Sequence, residues 1–154
     1  MTQRTTRCML VVLALLSLCG CAAAGDSETT AASTRASLQL ALSTTCDDAS
    51  DPHCIPVGSE RVLLPSTFEN AAVENAVARS DSVDVTFTDN GAEVLNDLTA
   101  QASGAGAEFR LLVKVGHEII AAVSVMEPLN GDHVTLGLTQ KHDPETVVAL
   151  IQGS

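Results

Sequence analysis

Residues 83–153 have the sequence VDVTFTDNGAEVLNDLTAQASGAGAEFRLLVKVGHEIIAAVSVMEPLNGDHVTLGLTQKHDPETVVALIQG, which contains most of the predicted strands and helices. Apolar and polar side chains alternate over residues 83–88, which predicts a strand with one buried face. Apolar residues then recur at helical spacing, which predicts a helix over about residues 90–103 with Thr88 or Asp89 as its N-cap. The fold is therefore expected to be built around a strand that leads directly into a helix.

Three apolar runs rich in branched residues follow this helix, at residues 109–115, 119–126 and 134–138. The first two are joined by a tight turn at Gly116 and predict a hairpin. Residues 144–152 predict a second helix, with Asp143 as its N-cap and Pro144 in its first turn. This order of elements predicts an α+β domain with a mostly antiparallel sheet and with the helices packed on one face.

The part of the domain before residue 83 is predicted to add two strands and a helix. Alternating Leu residues indicate a strand at residues 37–43, and SERVLLP indicates a short strand at residues 59–65. The sequence FENAAVENAVARS, at residues 68–80, predicts a helix between that strand and residue 83. Its apolar residues recur at helical spacing, at Ala72, Val73, Ala76 and Val77. We expect the whole domain to span residues 37–153.

The first 21 residues, MTQRTTRCMLVVLALLSLCGC, have the pattern of an export signal. Two arginines precede an apolar core at residues 9–18, which is too short to span a bilayer. The sequence Leu-Cys-Gly-Cys at residues 18–21 resembles the lipobox of bacterial lipoproteins. This resemblance implies that residues 1–20 are a lipoprotein signal peptide and that a diacylglyceryl group is attached to the thiol of Cys21. The alternative is an ordinary secretory signal that is cut nearby, for instance after residues 22–24.

Residues 21–36 are predicted to be a flexible tether, because they are small and polar and have no hydrophobic period. A flexible segment of this length has an r.m.s. reach of roughly 20 Å, which is enough to hold a domain off a membrane surface. The protein is therefore expected at the extracytoplasmic face of the cell membrane, held there by its lipid anchor.

The chain is strongly acidic: its 154 residues include 19 Asp and Glu against 8 Lys and Arg, for a formal net charge of −11. Such a surface repels phosphate backbones, so we expect no binding to nucleic acid. Trp and Tyr are absent and there are three Phe, which leaves few rings for stacking on bases or sugars. The same charge argues against electrostatic attachment to anionic lipid, so the anchor is the expected contact with the membrane.

Cys46 and Cys54 flank a short acidic loop, and the other three cysteines lie within residues 1–21. In an exported chain this arrangement predicts a disulfide. The alternative is a metal site made of the two thiols, His53 and the Asp residues between them. Two thiols combined with hard carboxylate ligands, without a second Cys/His pair, fit such a site poorly, so the disulfide is favoured and no metal or other cofactor is expected.

No arrangement of residues indicates catalysis. The four histidines, His53, His117, His133 and His142, do not lie beside a candidate nucleophile in a recognisable pattern. We expect them to be solvated residues in turns or next to a helix cap, and we expect Met126 to fill the core. A non-catalytic protein is therefore predicted, with an unrecognised envelope enzyme as an alternative.

Residues 61–153 resemble the head region of the first extracytoplasmic domain of the SecD and SecDF protein-export proteins. The motifs, in order, are AVENAVARSDSVDVTFT, NGAEVLNDLT, RLLVKVGHEIIAAVSVMEP, VTLGL and DPETVVALIQG. The resemblance implies a small ferredoxin-like α+β unit that contacts polypeptides. SecD-type proteins also carry several membrane-spanning helices with charged residues that couple proton flow to export. This sequence contains no such segment, so the resemblance does not extend to proton-driven transport.

The leading prediction is a lipid-anchored, non-catalytic accessory or binding module that contacts exported polypeptides or envelope proteins. An exposed sheet edge offers free N–H and C=O groups, to which an extended polypeptide can add as a further strand. The alternative for such an edge is that it is covered or only solvated, as most edges are. A small-molecule-binding lipoprotein is the other alternative function, and it requires a pocket with convergent polar groups.

Overall fold

The structure is a computed structural model that describes residues 36–47 and 50–153. Within these residues the chain forms eight strands and two helices. The strands are β1 (Ser37–Thr44), β2 (Cys54–Val57), β3 (Glu60–Leu63), β4 (Glu69–Ala78), β5 (Ser82–Phe87), β6 (Phe109–Val115), β7 (Glu118–Val123) and β8 (His133–Gly137). The helices are α1 (Asp89–Ala105) and α2 (Pro144–Gly153). The predicted signal peptide, Cys21 and all but the last residue of the predicted tether lie outside the described residues.

Six of these strands form one sheet in the order β7-β6-β1-β4-β5-β8, and β2 pairs with β3 in a separate hairpin. Every neighbouring pair in the six-stranded sheet is antiparallel. The predicted α+β class with a mostly antiparallel sheet is therefore confirmed. The sheet is curled, and its two outer strands, β7 and β8, both line a single cleft.

Both helices begin at the caps that the sequence predicts. The hydroxyl oxygen of Thr88 accepts a 3.2 Å hydrogen bond from the N–H of Gly91 at the start of α1. The carboxylate of Asp143 accepts a 2.9 Å hydrogen bond from the N–H of Thr146 at the start of α2. Each cap satisfies an N–H group that has no partner within the first turn of its own helix.

The main core lies between the helices and one face of the sheet. Leu38 and Leu40 of β1 point toward this face and are buried, since side chains two residues apart share a side of a strand. Leu95 of α1 and Val147 and Ile151 of α2 pack into the same cluster. The aliphatic composition of the chain thus supplies one continuous core that fixes the sheet and both helices together.

The β2–β3 hairpin covers part of the opposite face. Val57 and Val62 of the hairpin pack against Leu112 of β6, and all three side chains are buried. The buried hydroxyl of Ser43 also donates a hydrogen bond to the carbonyl oxygen of Leu63. Burial of an aliphatic side chain contributes about 1.5–3 kcal/mol, so this second cluster is sufficient to hold a short hairpin against the sheet.

A disulfide and an ion pair add to this attachment. Cys46, just after β1, and Cys54, at the start of β2, are joined by a disulfide with a Cα–Cα distance of 6.0 Å. The predicted disulfide is therefore confirmed. Arg110 of β6 donates two hydrogen bonds, of 2.6 and 2.9 Å, to the two carboxylate oxygens of Glu60 in β3. This paired geometry is the strongest that arginine and a carboxylate form.

The predicted helix at residues 68–80 is wrong, because β4 forms there instead. The register between β4 and β5 shifts between Val73 and Asn75, which marks a bulge at Glu74. The buried residues of β4 are Ala71, Val73 and Ala76. Their spacing of two and then three residues imitates a helical period. Pairing with β1 on one side and β5 on the other overrides the local preference of Ala and Glu for helix.

Candidate functional site

The outer edge of β8 is the first part of the candidate site. At one end of this strand, the N–H of Leu138 donates a 2.9 Å hydrogen bond to the carbonyl oxygen of Asp81. At the other end, the N–H of Phe87 donates a 2.7 Å hydrogen bond to the carbonyl oxygen of Asp132. The register between β5 and β8 is unbroken over five residue pairs, so these two bonds fix the direction of every backbone group between them.

Hydrogen bonding in an antiparallel pair involves every second residue. Val134 and Leu136 therefore direct their N–H and C=O groups toward β5. His133, Thr135 and Gly137 direct theirs away from it. Among the strands that the structure describes, none pairs with this outer edge of β8. The edge is consequently a row of backbone donors and acceptors that an extended chain can meet.

The other outer strand, β7, is less regular. Val113 of β6 pairs with Ala121, whereas the next residue, Lys114, pairs with Ile119. Ile120 is therefore an extra residue, and the strand bends at that point. Bulges of this kind guard a sheet edge against pairing with another chain. Of the two outer strands, β8 presents the more regular edge.

An apolar cleft lies between β7 and β8 and has a volume of about 510 Å³. It reaches the inner face of the curled sheet beside α1. Its apolar lining includes Phe87, Leu95, Leu111, Val113, Ala121 and Val134. The volume falls in the range of about 300–1,000 Å³ that is typical of ligand-binding clefts. A strand added to the edge of β8 would run along this cleft.

The loop at residues 124–132 joins β7 to β8 and closes one end of the cleft. The N–H of Leu129 donates a 3.1 Å hydrogen bond to the hydroxyl of Thr99 in α1. That hydroxyl in turn donates a 2.8 Å bond to the carbonyl oxygen of Leu95. Met126 lies in the same loop and is 85% exposed, so the expectation that it fills the core is wrong. An exposed Met beside an apolar cleft is typical of an adaptable contact surface.

Acidic side chains lie at this closed end and beside the same loop. Glu127 lines the cleft itself. Glu93 and Asp97 of α1, together with Asp132, line a second depression of about 540 Å³, to which the same loop contributes. All four residues are exposed, so their carboxylates are accessible to solvent. The acidic character of the whole chain is thus present at the site as well.

The basic side chains in residues 36–47 and 50–153 are all engaged elsewhere. The contacts are Arg61 with the carbonyl oxygen of Cys54, Arg79 with Asp84, Arg110 with Glu60, Lys114 with the ring of Phe68, and Lys141 with Glu118. None of these contacts reaches the acids around the cleft. The negative charge at the closed end is therefore not compensated by this part of the chain.

Thr135 links the edge of β8 to a charged neighbour on β5. Its hydroxyl donates a 2.8 Å hydrogen bond to Asp84. Arg79 donates a 2.7 Å hydrogen bond to the other carboxylate oxygen. The bond from Arg79, and next the bond from Thr135, hold the pKa of Asp84 below its ordinary value. The side chain of Thr135 is thus fixed on β5 while its backbone N–H remains available at the edge.

A larger depression, of about 790 Å³, lies between the β2–β3 hairpin and the start of β7. Its charged residues already bind each other: Lys141 lies 2.6 Å from a carboxylate oxygen of Glu118, and Nε2 of His142 lies 3.3 Å from the same atom. The bond from Lys141 is the main cause that lowers the pKa of Glu118. Because these groups neutralise one another, we place the candidate site at the β7–β8 cleft.

The histidines lie apart from that cleft or at its margin. His53 and His117 are exposed in turns, and His133 is exposed at the first position of β8. His142 departs from the expectation of a solvated residue, since its side chain is only 12% exposed beside Glu118. Within the described part of the chain, no group of three or more His, Cys, Asp or Glu side chains is placed to hold a metal ion.

Comparison with known proteins gives no relative: no family model, no curated protein and no solved structure matches the chain. No helix in the described ranges is long and apolar enough to cross a membrane. Cys21, the predicted site of lipid attachment, lies outside the described residues.

The strand at residues 134–138 is predicted by its apolar pattern, but its place at the edge of the sheet is not. Glu127, Met126 and Thr135 are likewise not predicted as site residues. One signal for an edge is present in the sequence, since this strand is short and carries Thr135 and Gly137 at its outward positions. The cleft itself has no local signal, because it is formed by residues from five different elements.

Proposed function

We propose that this protein is a non-catalytic module that binds extended segments of exported or envelope polypeptides. Lipid on Cys21 holds the module at the extracytoplasmic face of the cell membrane. The observation that carries the proposal is the unpaired outer edge of β8, where the backbone of Thr135 faces away from β5 beside an apolar cleft.

Strand addition suits a protein that meets many different chains. Main-chain hydrogen bonds depend little on sequence, so one edge accepts many partners. Alternate side chains of the added strand point to the same face, and here that face is the cleft. Apolar side chains of an unfolded chain would be removed from water there, which supplies affinity in addition to the main-chain bonds.

The resemblance to SecD-type heads supports the export context of the proposal. The resemblance includes a helix before the V-x-V-x-F strand, but in this protein that segment forms the strand β4. The support therefore comes from residues 83–153. The resemblance also implies a ferredoxin-like arrangement, and the strand directions observed here depart from it. A β-α-β unit of that fold has parallel strands, whereas β5 and β6 flank α1 in antiparallel directions with two strands between them.

The test is the binding of unfolded, extended peptides to the full-length chain in nanodiscs, measured by fluorescence anisotropy at low salt. We expect saturable binding by several unrelated peptides. Thr135→Pro removes the outward N–H of the edge without removing a bond to β5. The loss of one edge hydrogen bond should weaken binding about threefold to tenfold.

Thr135→Val is the matched control, because it loses the hydroxyl bond to Asp84 but keeps the outward N–H. It should bind peptides as the unchanged protein does, and both variants should have the same circular dichroism spectrum as that protein. No binding across a diverse panel would contradict the proposal, as would equal binding by the Pro and Val variants.

A second candidate function is the binding of a small apolar molecule, which the volume and apolar lining of the cleft favour. Ser124, Glu127 and Thr135 are the residues with polar side chains in the lining that could orient such a ligand. A fluorescent apolar probe should then bind with one site per chain, and extended peptides should not displace it. Displacement of the probe by peptides would instead show that a polypeptide binds in the cleft.

A further inference from the structure

Among the described residues that line the cleft between β7 and β8, the one charged side chain is Glu127, and it lies at one end. Asp132 directly precedes β8, and Glu127 lies in the loop that joins the end of β7 to the start of β8. Both residues therefore lie at the end of the cleft where β8 begins. The acids of α1 lie at the same end, since α1 follows β5 and Thr86 near the end of β5 pairs with His133.

The opposite end of the cleft is different. Gly137 ends β8 there, and Glu118 begins β7. Lys141 follows β8 and forms a 2.6 Å ion pair with Glu118, which neutralises one acid at this end. Asp81, whose carbonyl oxygen accepts a hydrogen bond from the N–H of Leu138, is also at this end, but neither Asp81 nor Glu118 lines the cleft. The lining of the cleft is thus apolar along its length and acidic only where β8 begins.

The sheet also favours one direction for an added strand. All neighbouring strands of the six-stranded sheet are antiparallel, and an antiparallel pair is slightly more stable per residue than a parallel one. A strand that is antiparallel to β8 has its C-terminal end beside His133 and Asp132. Residues that follow the added strand would then reach Glu127 and the acids of α1.

We propose that the occupant of this cleft is an extended polypeptide segment in which apolar residues are followed, toward the C terminus, by Lys or Arg. The apolar side chains enter the cleft, and the basic side chains meet Glu127, Asp132 and Asp97. Asp97 and Asp132 have no basic partner among the residues that the structure describes. This inference rests on the proposed function and specifies the sequence of the polypeptide and its direction.

The experiment compares two peptides of the same composition on the full-length chain in nanodiscs. One has an apolar stretch followed by two Lys and one Arg, and the other has the same residues in the reverse order. Exposed ion pairs are individually weak, so we expect the apolar–basic peptide to bind about threefold to tenfold more tightly. The preference should shrink when the ionic strength is raised from roughly 20 mM to 500 mM, because exposed charges are then screened.

The variant Asp97→Asn/Asp132→Asn should lose most of the preference between the two peptides. Glu69→Gln/Glu74→Gln is the control, since it removes the same charge from exposed positions of β4 that do not line the cleft. It should keep the preference. Circular dichroism checks that both variants fold.

Failure of this inference can be distinguished from failure of the proposed function. Equal binding of the two peptides, or tighter binding of the basic–apolar peptide, with continued sensitivity to Thr135→Pro, would overturn this inference and leave the proposed function standing. Binding of neither peptide would overturn both. An apolar probe that binds while both peptides fail would overturn both in favour of the small-molecule function.

Discussion

Gly91 of α1 lies directly against the backbone of Ala72 in β4, and a Cβ atom added to Gly91 would lie 2.1 Å from the carbonyl oxygen of Ala72. The same oxygen accepts a 3.0 Å hydrogen bond from the N–H of Thr88 and lies 3.3 Å from its hydroxyl. The start of α1 is thus fixed to the middle of the sheet by a contact that glycine alone allows.

Gly91→Ala should therefore destabilise the protein by roughly 1–3 kcal/mol, because a backbone atom rather than a flexible side chain must move. Gly104→Ala, near the end of the same helix, meets nothing within 4 Å and should stabilise it by up to about 1 kcal/mol. Urea unfolding followed by circular dichroism measures both values. Similar effects of the two substitutions would contradict this account of the contact.

The disulfide predicts a second stability difference. Cys46 and Cys54 are eight residues apart, and closing a loop of that length contributes about 2.5 kcal/mol by the loop-entropy relation. Cys46→Ser/Cys54→Ser should lower the free energy of unfolding by about this amount. Reduction of the unchanged protein should have the same effect, whereas reduction of the double variant should have none. Alkylation of both thiols in unreduced protein, taken from its native compartment, would contradict the bridge.

The free energy of unfolding should also decrease when the pH is lowered. The hydrogen bond from Arg110 lowers the pKa of Glu60, and partners likewise lower the pKa of Asp84, Glu118 and Asp143. A carboxylate with a lowered pKa in the folded state stabilises the fold above its ordinary pKa, which is about 4, and loses this effect as the pH falls further. The free energy of unfolding should be nearly constant from about pH 7 to 5 and decrease below about pH 4.

Glu60→Gln tests the contribution of one such pair. It should lower the free energy of unfolding at neutral pH by roughly 0.5–1 kcal/mol and reduce the loss of stability on acidification. Glu74→Gln is the control, because Glu74 is exposed in the bulge of β4. Identical acid dependence in the Glu60 variant and the unchanged protein would show that the pair with Arg110 contributes nothing.

Anchoring is predicted by the sequence at residues 18–21. Metabolic labelling with a fatty acid should mark the protein, and Cys21→Ser should abolish the label, because the thiol is the expected site of thioether formation. Cys19→Ser removes a neighbouring thiol from the same signal and should leave the label in place. A label that persists in the Cys21 variant would rule out this assignment.

The sequence predicted element types well wherever the side-chain period is simple. The strand at residues 83–88, both helices of residues 83–153 and the turn at Gly116 follow directly from periodicity and capping. The bulge at Glu74 defeats the same method, because one inserted residue turns a period of two into an apparent period near that of a helix. The strand β2 is missed because Pro56 interrupts its pattern and is typical of loops and strand ends.

The site could not be predicted from the sequence because it depends on which strands become neighbours. Leu42 of β1 pairs with Leu111 of β6, and no local pattern encodes a pairing over that distance. This pairing and that of β1 with β4 place β1 in the middle of the sheet and leave β7 and β8 outside. Only then do Met126, Glu127 and Thr135 come together at one cleft.

The most direct test of the central claim is amide hydrogen exchange at the edge of β8, measured by NMR with and without a saturating extended peptide. If the peptide adds as a strand, the N–H groups that face outward become hydrogen-bonded, and exchange at Thr135 and Gly137 should slow at least tenfold. Val134 and Leu136 already face β5 and should change much less. Saturable binding with unchanged exchange at Thr135 and Gly137 would contradict strand addition at β8.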